Sequence, residues 1–506
     1  MSAIAVLPRI DVEVDGSILA SGASAALEEI LIQRRLSQPS VCELTFFAPR
    51  GPISELHAIR TGSSVHLSLP ESRDSLFDGE ITAVEHLYEA SHGQTIRVRC
   101  YDRLHRLRKR QPVRAHTQVT PSELARELTA DLGISVEAEE DGPLSQKLIQ
   151  YRQSDFDLLV EVSARCGLYL TLRGDVLHLL TLQGLGDSID LALGKTLMEA
   201  RVELNAEPAC RCVLVKGWDA TRVEAHESRV DDPRLGRKVV ASAPPDSFEA
   251  TGDRTLADEA VQDDLHAKAI AQGELDARVA REVTFSGVAE GNPALMPGSL
   301  VDVSGIATSF AGTYVLTSVN HRINRHVGFV SEISSLPPSF EKHSKGAIVL
   351  WGTVTSVDDP DNLGRVRAWL PALGKVETDW MGVMAAGAGN GKGFAMLPDV
   401  DDQVLVLFIG GDASQAVVLG GLYGSNGPGD YGVEDASVRR YTVGTSGGQK
   451  IRLDDTGQLI RIENKSGSYI DISPEKFILH STVSLEIEAP GQDVVIKGKT
   501  IDFRQA

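Results

Sequence analysis

The stretch KIRLDDTGQLIRIENKSGSYIDISPEKFILHSTVSLEIEAPGQDVVIKGKTIDFRQA, residues 450–506, contains seven short alternations of apolar and polar residues: KIRLD, LIRIE, YIDIS, KFILH, SLEIE, DVVIK and TIDFR. Their apolar pairs are Ile451/Leu453, Ile460/Ile462, Ile470/Ile472, Phe477/Leu479, Leu485/Ile487, Val494/Ile496 and Ile501/Phe503. Between the members of each pair stands Arg452, Arg461, Asp471, Ile478, Glu486, Val495 or Asp502. A strand's period of two therefore gives each piece one apolar face and, in five of seven, one wet face. The pieces recur every 7 to 10 residues with glycines among the turns, and no helical pattern in the segment could cover the apolar face. With about two inward side chains per strand, one copy of this tail buries little apolar surface. Identical tails packed around an axis supply both a core and partners for exposed edges. A threefold β-prism is the simplest closed form. The alternative is a single-chain β-helix of the kind found in polysaccharide- or peptidoglycan-degrading or -binding proteins, for which this tail supplies only two or three coils.

Immediately upstream, residues 348–423 carry five apolar runs: IVLWGTVTSV, GRVRAWLP, DWMGVMA, QVLVLFIG and AVVLGGLYG. Five strands in so short a span fit an OB-type barrel. GSNGPGDYGVEDAS reads as a connector to the tail, and PPSFEKHSK (Pro337–Lys345) as a linker before the barrel. Farther upstream, IDVEVDG, VCELTFFAP, SSVHLSL, FDGEITAVEH, QTIRVRCYD, YLTLRGDVLHLLTL, CRCVLVKGW, LVDVSGI, TYVLTSVNHRI and GFVSEISS alternate as strands. Two helices are marked by their caps: Thr120-Pro121 with Glu123 completing a capping box and Gly133 beyond, and Ser154 followed by acidic residues with Gly167 beyond. An Ala-rich, charged run from Leu256 to about Arg281 predicts a third. The reading is mainly β: 1–340 a hub of two tail-tube-like β-barrels with helical inserts, 346–425 the OB domain, 426–442 a connector, 443–506 the trimeric prism.

A chain of 506 residues, 42% hydrophobic and 24% charged, belongs with multidomain globular proteins. Neither a secretory leader nor an apolar run of membrane-spanning length is present, which predicts cytoplasmic synthesis. The net charge of −20 excludes the basic footprint that nucleic acid requires. Five cysteines, Cys42, Cys100, Cys166, Cys210 and Cys212, lack metal-ligand spacing and read as core thiols. GAGNGKG (387–393) lacks the spacing and the following helix of a phosphate-cradling loop and reads as a barrel loop. DDPDNLG (358–364) lacks calcium-ligand alternation and reads as a turn. The basic cluster RLHRLRKR (103–110) reads as a solvated face, with an acidic docking partner as the alternative. His321 and His326 have no third ligand nearby, and no nucleophile elbow occurs, so neither a metal, a cofactor nor an enzyme activity is expected. An adhesin would better suit exposed aromatics, but the tail has only Tyr469, Phe477 and Phe503.

WGTVTSVDDPDNLGRVRAWLP and DWMGVMAAGAGNGKGFAMLPDVDDQVLVLFIGGDASQAVVLGGLYG resemble the OB domain of the valine-glycine repeat (VgrG) spikes of type VI secretion and the central hub-spike proteins of phage baseplates and other contractile injection systems. Gly364, Arg365 and Val366, Trp380, Gly420 and Tyr423 carry the match. YRQSDFDLLVEVSARCGLYL resembles that family's hub segment, and AEGNPALMPGSLVDVSGIATSFAGTYVLTSVNHRI its second barrel. The resemblance implies a homotrimer whose hub barrels form a pseudo-sixfold ring on a hexameric inner tube protein, among baseplate proteins, with a proline-alanine-alanine-arginine (PAAR) tip protein, effector cargo and no enzyme activity of its own. It implies a particle assembled in the cytoplasm whose spike is expelled into the target envelope when the sheath contracts. The prism core would be Ile451, Leu453, Ile460, Ile462, Ile470, Ile472, Leu479, Leu485, Ile487, Val494, Ile496, Ile501 and Phe503. Two departures stand out: the connector is too short for the lysozyme domain of some members, and His480 alone cannot supply the paired histidines of iron-tipped spikes.

Overall fold

The computed structural model describes residues 8–48, 56, 59–70, 75–90, 93–219, 224–243, 252–340, 346–374, 376–412, 414–424 and 427–504. Of the Pro337–Lys345 linker, residues 341–345 lie outside the described set, as do 425–426 in the connector. The chain forms two compact units, Met1–Gly421 and Leu422–Ala506.

The first unit is built on one eleven-stranded sheet. Its strands run, in spatial order, Leu197–Leu204, Val283–Glu290, Gly328–Ser334, Ser318–Asn324, Leu27–Arg35, Val41–Ala48, Gly93–Tyr101, Ser75–Glu89, Ser64–Ser68, Asp11–Val14 and Ser17–Ile18. The two expected barrels are thus two apolar cores along a continuous sheet. One holds Ile30, Leu44, Phe46 and Val98; the other holds Phe285, Val301, Tyr314 and Val319. What joins them is Leu27–Arg35, a strand absent from the sequence reading, paired antiparallel with Ser318–Asn324. Its alternation puts Ile30 and Ile32 inside, while charged residues at both ends obscure the pattern.

Both capped helices form. Pro121–Thr129 and Asp155–Arg165 each begin with a full capping box, Thr120 with Glu123 and Ser154 with Asp157. They pack Leu124, Leu128, Phe156 and Leu159 against the hairpin Tyr169–Arg173/Val176–Leu180. The third helix is shorter than expected, Asp264–Ala280, capped by Asp263. Residues Leu256–Ala260 instead end a strand, Asp253–Ala260, that pairs parallel with Cys212–Asp219. An available sheet edge overrides the helical propensity of that short run. Gly273, inside this helix, has a packing reason: a Cβ there would lie 2.6 Å from the Gly167 nitrogen, so the helix packs in backbone contact against the turn that ends the preceding helix. All five cysteines are buried and free.

The OB segment forms a five-stranded sheet in the order Arg367–Trp369, Ile348–Ser356, Gln403–Phe408, Ala416–Leu422, Gly382–Val383. Val354, Val366, Val404, Val406, Phe408 and Val418 fill its core. The hub reaches into it. Ile149 joins this core, the Tyr151 hydroxyl donates to the Gly411 carbonyl at 2.8 Å, and Arg165 lies 3.8 Å from Asp412. GAGNGKG is a small exposed hairpin, Ala388–Gly389 against Lys392–Gly393, with no helix after it. Among the described residues no helix is long and apolar enough to cross a membrane.

Candidate assembly face

The second unit contains an antiparallel five-stranded meander: Arg440–Gly444, Lys450–Asp454, Leu459–Glu463, Tyr469–Ile472 and Phe477–His480. Its first strand begins inside the expected connector, which also holds a hairpin, Val433–Glu434 with Ser437–Val438. The register brings the apolar residues into two straight rows. One is Tyr441–Leu453–Ile460–Ile472–Phe477; the other is Val443–Ile451–Ile462–Ile470–Leu479. Ten apolar side chains therefore share one face. Ile470 is half-buried, and the other nine are 42–69% exposed. Monomeric soluble proteins seldom show water a contiguous apolar patch of this kind.

The opposite face is paired through charges of the same chain. Arg461 grips Asp471 through two hydrogen bonds, Nε to Oδ1 at 2.7 Å and Nη2 to Oδ2 at 2.6 Å. This fork holds the Asp471 carboxyl below the usual carboxylate range. The same guanidinium lies 4.5 Å from the Tyr469 ring, which stacks on His480 at 4.8 Å. Arg440 bonds both Asp430 and Glu434, and Arg452 lies 3.5 Å from Asp430 and 3.7 Å from Glu463. One side of the sheet is thus a closed ionic network and the other is bare hydrocarbon. The asymmetry marks the apolar side as the face to be covered.

Four of the seven sequence pieces form strands. The other three, SLEIE, DVVIK and TIDFR, form no strand in the single chain; they carry Leu485, Ile487, Val494, Ile496, Ile501 and Phe503, six of the residues expected in the prism core. All six are exposed. Among the described residues these pieces have no strand partner, and a strand with two apolar side chains cannot offset its ordering entropy alone. The antiparallel meander also differs from the parallel coils of a single-chain β-helix.

Two of the OB motif residues, Gly364 and Arg365, belong to a loop built around one carboxylate that sequence reasoning passed over. In DDPDNLGR, Asn362 (φ 56°) and Gly364 (φ 71°) turn the chain so that it wraps Asp359. The Asp359 carboxylate accepts from the backbone N–H groups of Asp361, Leu363 and Arg365 at 3.2, 2.9 and 3.2 Å. It also accepts from Arg365 Nε at 3.0 Å and Nη2 at 2.6 Å, and both side chains are buried. Val366 then enters the core, while Arg367 covers the Trp380 ring at 4.7 Å. Gly420 lies in the last barrel strand, and Tyr423 is exposed beyond it. The signal for Asp359 was an acidic residue opening a turn six positions before a buried arginine.

The basic cluster is in part a solvated face, with Arg106, Arg108 and Lys109 exposed, and its arginines are engaged within the chain. Arg103 pairs with Asp175, Arg106 with Glu80, and Arg110 with Asp131 and Asp155, while Arg108 lies 5.0 Å from the Phe156 ring. His321 is buried with Nδ1 2.9 Å from the Ser331 hydroxyl; His326 is in the following turn. Among the described residues no group of three or more His, Cys, Asp or Glu could hold a metal ion.

Comparison with known proteins agrees with this architecture. Residues 350–423 match the model of the type VI secretion system/phage-baseplate injector OB domain. Residues 10–325, more than half of the chain, match the Alg8 N-terminal domain. No curated protein matches. Among solved structures, the chain is similar to the Francisella PdpA-VgrG complex, at 9% identity and TM-score 0.56 over 94% of this chain and 80% of that one. It is also similar to an E. coli component of the type VI secretion system that itself resembles T4 bacteriophage tail proteins, at 15% identity and TM-score 0.55 over 81% and 99%. A third is the 43 kDa tail protein of prophage MuSo2 from Shewanella oneidensis, at 16% identity and TM-score 0.50 over 65% and 98%. At these identities the likeness is one of fold.

Proposed function

Because this chain belongs to the family of the Alg8 N-terminal domain and joins an injector OB domain to it in a VgrG-like fold, we propose that it is the trimeric central hub and spike of a contractile injection machine. The observation that carries the reading is the tail sheet: ten apolar side chains in two aligned rows, nine of them exposed, backed on the other face by an ionic network. Three such sheets turned inward make the walls of a triangular prism, with rows from each copy meeting along the axis. The three unpaired pieces gain partners in the same event, extending the prism towards its end. The hub region, 1–340, would seat on the inner tube, the OB domain, 346–425, would carry the load, and the prism, from about 443 onward, would lead. A separate tip protein would close the blunt end.

The work would be mechanical. Sheath contraction pushes the tube, and the spike transmits that push to the envelope ahead. A stiff, dry-cored prism suits the task because interiors packed to crystal-like density transmit strain with little compression. Assembly would take place in the cytoplasm with baseplate proteins, and any toxic activity would belong to cargo. A tail hydrolase is the second reading, but a glycosidase needs a pair of carboxylates across a cleft, and Asp359 in the OB loop and Asp430, Glu434 and Asp471 in the tail sheet are tied to arginines.

Electron microscopy of the purified full-length chain tests the proposal. Class averages should show a ring bearing a single narrow rod with threefold symmetry. Compact particles without a rod would count against it.

A further inference from the structure

The three long OB strands, IVLWGTVTS, QVLVLF and AVVLGGL, contain no charged residue, and their apolar positions do not alternate with polar ones. Near-continuous apolar strands of this kind occur where a sheet is covered on both faces. Here the described contacts cover one. The inward face is the barrel core, with Ile348 opposite Phe408 and Leu350 opposite Val406. The outward face carries Val349 opposite Leu407 and Trp351 opposite Leu405, with Trp369 beside Thr353 on the adjoining strand. Val349, Trp351 and Trp369 are exposed, and Leu405 and Leu407 are half-buried. Ile149 and Tyr151 of the same chain's hub pack on the core and barrel end at Phe408 and Gly411, leaving this stripe open.

We infer that this outward stripe is a second self-association surface, on which the OB barrel of one copy packs against the OB barrel of the next. Charge depletion with tryptophan at the centre is the signature of an interface core rather than of ordinary surface. The occupant is a second copy because of chain continuity. The last barrel strand, Ala416–Leu422, runs directly into the tail unit, so tails gathered around one axis hold their barrels at high effective concentration. The inference rests on the trimer reading and adds to it an interface that does not use the tail. It would lock the barrels together where thrust passes from hub to spike.

The test uses the full chain and two variants, Trp351→Glu and Trp351→Phe. Trimer dissociation in urea at fixed protein concentration is read by mass photometry, with far-UV circular dichroism confirming the fold. Trp351→Glu should lower the dissociation midpoint and raise the dissociation constant at least tenfold, while Trp351→Phe stays close to the wild type. A trimeric wild type whose dissociation is unmoved by Trp351→Glu overturns the OB interface and leaves the tail reading standing. A monomeric wild type overturns both.

Discussion

Replacing Ile472 by aspartate is expected to abolish the trimer at micromolar concentration while leaving the hub folded. Ile472 stands in the middle of an apolar row, between Ile460 and Phe477, and is 45% exposed in the single chain. In the closed prism its three copies meet near the axis, so the variant buries three like charges with no cation on that face. Leaving one charge buried and unpaired costs on the order of 3–5 kcal/mol, and tenfold in a dissociation constant is about 1.4 kcal/mol. Three copies together exceed what the remaining hydrocarbon contacts can offset. The control lies close by: Ile478 occupies the opposite face, in register with Asp471. Ile478→Lys puts a cation beside that carboxylate and should leave the trimer intact. Size-exclusion chromatography with light scattering reads both. Equal behaviour of the two variants would mean that the inward assignment is wrong.

The second large effect falls on the OB barrel. Asp359→Ala removes the carboxylate around which the loop is wrapped and leaves the buried Arg365 guanidinium only Asp361, which is mostly exposed. Breaking a buried pair from one side costs about 3 kcal/mol or more, and three backbone N–H groups lose their acceptor in the same step. Trp351, Trp369 and Trp380 lie in this domain and only Trp218 lies elsewhere, so tryptophan fluorescence in urea reports mainly on the barrel. The pH dependence has a fixed sign. The Arg365 fork holds the Asp359 carboxyl well below the usual carboxylate range. The unfolded chain, with an ordinary value of about 3.9, then takes up a proton before the folded one does. The pair's contribution is therefore full above about pH 4 and declines as acid carries the pH from there towards the folded value. Asp359→Ala should lower the urea midpoint at pH 7 and lose this part of the acid decline. An unfolding free energy within about 1 kcal/mol of the wild type would show that the loop folds without its carboxylate.

Much of this architecture was legible in the sequence, for local reasons. Thr120–Glu123 and Ser154–Asp157 are capping boxes whose chemistry is complete within four residues. The OB strands are apolar runs cut by turn formers. The tail's apolar face follows from alternation alone, and the pairing register then aligns it. What escaped depends on distance along the chain. Leu27–Arg35 becomes a strand because Ser318–Asn324, almost three hundred residues later, offers an edge. Asp253–Ala260 is taken into a parallel pair by Cys212–Asp219, which shortens the expected helix. The arginines from Arg103 to Arg110 look free until Glu80, Asp131, Asp155 and Asp175 are brought beside them from four other segments. The last three tail pieces show the limit from the other side. Their alternation is as clear as that of the first four, but one chain supplies no neighbour for them.

On the proposed reading, the tail's missing neighbours are two further copies of the same tail. Sedimentation equilibrium of the unmodified full-length chain at neutral pH measures it most directly. The account predicts a single species of three times the 54.4 kDa chain mass, persisting on dilution to nanomolar concentration. A species of one chain mass across that range would contradict it.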